Sequence, residues 1–120
     1  MQKQYFDNEP QLVEHEGSMV RINFDVEHAT EERQKQGSDE TEEVEVIKAY
    51  VVRVAHPMTR GRIIDAIVTA QYPEDKMQAV INNYLLDQED ADAVQEFNDM
   101  QAWRAHAKEI ATEVMAVAKA

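Results

Sequence analysis

The sequence predicts an α+β fold: an antiparallel sheet of two or three strands from the N-terminal half, packed by three helices from the C-terminal half, the last of them long. Three observations carry this. Apolar residues recur with period two as far as about residue 55. After His56-Pro57 they recur with the 3.6-residue period of amphipathic helices. Strands come first and helices after, which leaves no room for a parallel βαβ unit. A chain of 120 residues also matches one domain, residues 1–120.

Each element has a local reason. From Met19 to Val26, Val20, Ile22, Phe24 and Val26 alternate with Arg21, Asn23 and Asp25, the pattern of a half-buried strand. The preceding Glu16-Gly17-Ser18 suits a tight turn, so Leu12 to His15 can form a short partner strand. Val44 to Val54 is rich in β-branched residues on both faces and reads as the central, best-buried strand. Glu27 to Glu43 holds seven acidic and two basic residues with no large apolar side chain, and reads as a flexible acidic loop. Thr59 caps a first helix, Arg60 to Gln71, with Ile63, Ile64, Ile67 and Val68 in one stripe. Pro73 suits the first position of a second helix that runs to about Leu86 and buries Met77, Val80, Ile81, Tyr84 and Leu85. Asp90 caps a third, from about Ala91 to Ala118, roughly 42 Å long at 1.5 Å per residue. Its stripe sets Ala93, Met100, Ala107 and Val114 at one heptad position, with Trp103, Ile110 and Val117 three residues on.

Charge and composition exclude several functions. Twelve Lys and Arg against 24 Asp and Glu give a net charge of -12, on a chain 43% hydrophobic. That is a folded acidic protein, repelled by nucleic acid and by anionic membranes over most of its surface. Without Cys there is no disulfide, thiolate zinc site or cysteine nucleophile. No apolar run has the length of a signal peptide or a membrane span, so a soluble cytoplasmic protein is expected.

Catalytic and metal chemistry find little support. His15, His28, His56 and His106 are dispersed, none three or four residues from another, so no metal site is expected. Acids such as Asp25 or Asp65 cannot be singled out as general acids or bases among 24 carboxylates. Gly17, Gly37 and Gly61 form no phosphate loop, and no serine sits in a nucleophile elbow. The expectation is a protein that is not an enzyme and uses no cofactor.

One basic spot runs against the grain. Arg60 and Arg62, in the first turn of a helix, oppose its dipole. With Gly61 giving backbone access and Arg53 nearby in sequence, they could hold a phosphate or a partner's carboxylate, or else pair with the chain's own surplus acids. Phe97, Trp103 and Tyr84 are most simply core. An exposed Trp103-Arg104 pair would instead be a docking anchor, and with Ile110, Val114 and Val117 the long helix could bind a protein partner or a second copy of the chain.

The segments Thr59-Arg-Gly-Arg-Ile-Ile-Asp-Ala-Ile, Tyr72-Pro-Glu-Asp, Asn82-Asn-Tyr-Leu and Phe97-Asn-Asp-Met-Gln-Ala-Trp-Arg-Ala-His-Ala-Lys resemble small accessory proteins carried by phages and prophages of gut bacteria. The resemblance covers residues 58–118. It implies a phage accessory role, near tail-fibre assembly, and brings no catalytic or binding residues with it. The expected function is accordingly a non-enzymatic protein-interaction module. The alternatives are an acidic nucleic-acid mimic that inhibits a host DNA-processing protein, and a small-anion binder at the start of the first helix.

Overall fold

A computed structural model describes residues 1–119. It is an α+β fold with a four-stranded antiparallel sheet: β1 (Gln4–Phe6), β2 (Val13–Glu16), β3 (Met19–Gln34) and β4 (Thr41–Ala55), in the order β1-β4-β3-β2. The helices are α1 (Arg60–Gln71), α2 (Glu74–Leu86) and α3 (Ala91–Lys119). The sheet thus has one strand more than the two or three expected. The extra strand, β1, is only three residues long and pairs Gln4, Tyr5 and Phe6 with Ala49, Lys48 and Ile47. Three residues carry no readable alternation, so the pairing is set by β4, which offers an unpaired edge there.

Helix ends follow local chemistry. The Thr59 hydroxyl accepts the Arg62 amide at 3.2 Å, and the Asp90 carboxylate accepts the Asp92 and Ala93 amides at 3.0 and 3.4 Å. Pro73 occupies the N-cap of α2 rather than its first turn, one position earlier than expected, and no side chain caps that end.

The main core lies between one face of the sheet and α1 with the distal half of α3. Val20, Ile22 and Phe24 of β3 and Val52 and Val54 of β4 meet Ile63, Ile67 and Val68, and Ala107, Ile110, Ala111 and Val114. A smaller cluster of Tyr72, Val80 and Met100 joins α2 to the proximal half of α3. The long helix therefore spends its length on two successive cores. Leu85, expected to be buried, is 64% exposed, because it falls beyond the part of α2 that meets α3.

Two strand expectations are corrected. Val26 does not continue the face of Val20, Ile22 and Phe24 but is 36% exposed. The register passes from Phe24↔Tyr50 to Glu27↔Lys48, two residues of β3 against one of β4, and this bulge swaps the faces of every later residue. Asp25 sits in it with φ 53°, a left-handed conformation that Asp tolerates better than most residues. The acidic loop expected at Glu27 to Glu43 is instead a hairpin: residues 27–34 belong to β3, residues 41–43 to β4, and only 35–40 turn.

Candidate functional site

Beyond the bulge, β3 and β4 leave the helices behind. Nothing from Asp25 to Ala49 belongs to either core cluster, yet the two strands stay paired to Gln34↔Thr41. The eight residues Glu27 to Gln34 make an arm of about 26 Å at roughly 3.3 Å per residue, within a molecule that measures 55 × 41 × 20 Å with the arm included.

The two faces of the arm differ in charge balance. On the helix side, Lys48 reaches Glu31 at 3.1 Å and Glu27 at 4.0 Å, Lys3 reaches Glu27 at 3.6 Å, and the Tyr5 hydroxyl donates to Glu31 at 2.9 Å. The hydrogen bond from Lys48, seconded by that from Tyr5, holds the Glu31 carboxyl below its ordinary pKa, and the same bond raises Lys48. These cross-strand partners take over the role that apolar packing plays nearer the body. On the opposite face, Glu32 stands directly across from Glu43, with Glu45 two residues along. All three are exposed, and none has a cation within ion-pair distance among the described residues. Like charges in direct opposition cost stability, so this face is an uncompensated acidic strip.

The connection from β1 to β2 crosses the same side of the sheet. Glu9 meets the His28 ring at 3.2 Å, and the Gln11 carbonyl accepts from the Asn23 side-chain amide at 2.7 Å, which buries Asn23. Nearer β2, Arg21 pairs with Glu14 and Glu16, and Arg53 donates to Glu16 at 3.1 Å.

The basic spot read from sequence is not assembled into one site. Arg53 is held by Glu16 on the sheet face away from the helices, whereas the Arg60 guanidinium donates to the Thr112 hydroxyl of α3 at 3.3 Å. Neither Arg60 nor Arg62 meets a carboxylate among the described residues, so pairing with the chain's own acids does not account for them either. The amide of Arg62 is taken by Thr59, and Gly61 has open space where a Cβ would stand.

Of the residues expected to face a partner from the last helix, Ile110 and Val114 are buried in the main core, so they offer no surface. Val117 is half exposed, and Arg104 turns its guanidinium to the Met77 sulfur at 3.3 Å. Trp103 is half-buried: its indole N–H donates to the Ile67 carbonyl at 3.0 Å, tying α3 to α1.

Around Trp103 the fold gathers side chains from three elements. Asp99, Ala102, Trp103 and His106 lie at helical spacing along one side of α3. Opposite them stand Tyr50 of β4 and the end of α1, Gln71 with Tyr72, enclosing a shallow recess of about 460 Å³. The Trp103 and Tyr50 rings meet edge to face, centroids 5.7 Å apart at 89°. His106 lies 5.9 Å from Trp103, and its Nε2 is 2.8 Å from both carboxylate oxygens of Asp25, while its Nδ1 is 3.7 Å from Glu109. Asp25 reaches His106 because the bulge turns it there. Their separation of 81 residues left no spacing signal in the sequence. Burial raises the Tyr72 hydroxyl above its ordinary pKa, with Asp99 and Glu96 adding negative potential.

His15 and His56, far apart in sequence, stack with ring centroids 6.0 Å apart. Among the described residues no group of three or more His, Cys, Asp or Glu could hold a metal ion, and no helix is long and apolar enough to cross a membrane. No family model, curated protein or solved structure matches this chain.

Proposed function

We propose that this protein is a non-enzymatic interaction module that grips a protein partner with a basic surface through the β3–β4 arm. The observation that carries the reading is the arm itself, a paired ribbon outside both cores whose outer face leaves Glu32, Glu43 and Glu45 without cations. Beyond the reach of β1, from Ala29↔Val46 outward, the arm is a two-stranded ribbon; such a ribbon contributes little to folding, and its unpaired strand edges and charge are suited to recognition. Binding is thereby assigned to the arm rather than to the long helix, whose stripe is used internally. The resemblance of residues 58–118 supports placing this activity among phage or prophage accessory functions such as tail assembly.

The test is to remove residues 30–45 and rejoin the register partners Ala29 and Val46 through an Asn-Gly turn. Proteins retained from host lysate, with and without phage infection, are then compared between the two forms. Loss of one specific partner with the arm supports the proposal, and retention of the same partners by the shortened, folded protein defeats it.

A second reading is favoured by one observation. Five of the seven acids of Glu27 to Glu43, all but Asp39 and Glu40 in the turn, lie on strands in fixed register rather than on a loop, and ordered carboxylates are what imitation of a phosphate backbone requires. In that case the partner is a DNA-processing protein, DNA competes for it, and binding weakens steeply with salt. A partner unaffected by competing DNA excludes the mimic.

A further inference from the structure

Outward from Val46, the β4 edge of the arm is bare. β1 ends at Phe6, opposite Ile47, and the chain then leaves over the outer face of the sheet, where Glu9 meets His28. Thr41 to Glu45 therefore pair with β3 alone, from Thr30↔Glu45 to Gln34↔Thr41, in unbroken register. That is about 16 Å of extended strand at roughly 3.3 Å per residue, with the N–H and C=O of every second residue turned away from β3. Strand edges are ordinarily blunted by Lys, by Pro or by a bulge, and this stretch has none of the three. Charge alone guards it, through Glu42, Glu43 and Glu45. A second copy of the chain, pairing edge to edge, would set its own Glu43 against Glu43 or Glu45 here and add to the like-charge opposition of Glu32 and Glu43. A basic strand relieves that opposition instead. The β3 edge of the arm offers less, because Glu27 and Glu31 already hold Lys3 and Lys48.

Resting on the arm as the binding element, we propose that the partner binds by strand addition to β4. An extended segment with Lys or Arg at alternate positions pairs antiparallel with Thr41 to Glu45, continues the line of β1, and sets its basic side chains beside Glu45 and Glu43. The residue opposite Glu45 then stands two positions beyond Phe6 in that line and on the same face. There the outer face holds a recess of about 430 Å³, lined by Phe6, Asp7 and Ile47 together with Glu45. A long basic side chain fits it, with its methylenes on Phe6 and Ile47 and its charge between Asp7 and Glu45.

The probe is the peptide acetyl-Arg-Val-Arg-Val-Arg-amide, titrated into the isotope-labelled full chain while the backbone amide shifts are followed. The expected result is a saturable change along Thr41 to Glu45. Two further peptides, N-methylated at the valines or at the arginines, separate strand addition from charge attraction. Only alternate N–H groups of an added strand point at its neighbour, so one methylated peptide binds and the other does not. Glu43→Gln combined with Glu45→Gln should weaken the unmodified peptide about tenfold, about threefold for each exposed charge pair. Both residues are exposed and lie outside the cores, so the melting temperature of the variant should not fall. The proposal is overturned by the absence of saturation, by shifts confined to β3, by equal binding of the two methylated peptides, or by a double variant that binds like wild type. An arm-dependent partner captured from lysate alongside any of these results leaves the role of the arm standing and defeats strand addition, so the two readings fail separately.

Discussion

Replacing Ile110 by Ala tests whether the long helix spends its stripe on the core or on a partner. Ile110 is 6% exposed and lies in the cluster with Ile63, Ile67 and Val114. Ile110→Ala removes three carbons from a site walled by α1 and the sheet, where little can move to refill the space. Such truncations cost about 2–5 kcal/mol, and a middle value of about 3 is appropriate here. Unfolding entropy of roughly 2.1 cal/mol/K per residue gives about 250 cal/mol/K for this chain, so the melting temperature should fall by about 12 °C. An exposed interface residue would change monomer stability by less than about 0.5 kcal/mol. The assay is thermal and urea unfolding of wild type and variant, with size-exclusion chromatography on the same samples. A fall of under about 2 °C, together with an altered oligomeric state, would refute the placement of Ile110 in the core.

Three further predictions concern the bulge and the arm. Asp25→Ala should destabilise by about 1 kcal/mol more than Asp25→Asn in urea unfolding, because Asn tolerates the left-handed conformation and keeps an acceptor for His106, whereas Ala does neither; equal losses would show that neither feature contributes. Gly37, at the arm's tip with φ 77° and open space around it, should lose about 1 kcal/mol on change to Ala from backbone strain alone, with no change in partner specificity. Glu31 is depressed below 4.5, so its contribution to stability is present above that pH and disappears as pH falls through the lower folded value. The stability gap between wild type and Glu31→Gln, measured by urea unfolding, should therefore be open at about pH 6 and close towards about pH 3; a gap that persists there would rule out the ion pair as its source.

How much of this was legible in the sequence depends on distance along the chain. Thr59 and Asp90 mark their helix starts because the amides they accept are two or three residues away. The buried series Ala93, Met100, Ala107 and Val114 was readable because helical spacing fixes which residues share a face. Of the candidate residues, Trp103 was visible as the one tryptophan, and its place in an aromatic recess was not.

What the sequence determined by itself is therefore the α+β class, the order of strands and helices, the helix starts at Thr59 and Asp90, and the apolar faces of β3 as far as Phe24 and of α3 along Ala93, Met100, Ala107 and Val114, all of which arise from interactions within a turn or a pleat. What only the tertiary structure decided is the arm, β1 and the Asp25–His106 contact. The arm reads as a loop because its residues are polar, and it is a hairpin because Lys48 finds Glu31 and Tyr5 finds Glu31 across strands. A strand whose stabilising partners lie 17 and 26 residues away has no local periodicity to announce it. The bulge after Phe24 then turns an apparently regular alternation over, exposing Val26 and aiming Asp25 at a helix 81 residues on. Period and capping are local properties of a chain; register and convergence exist only once distant segments have met.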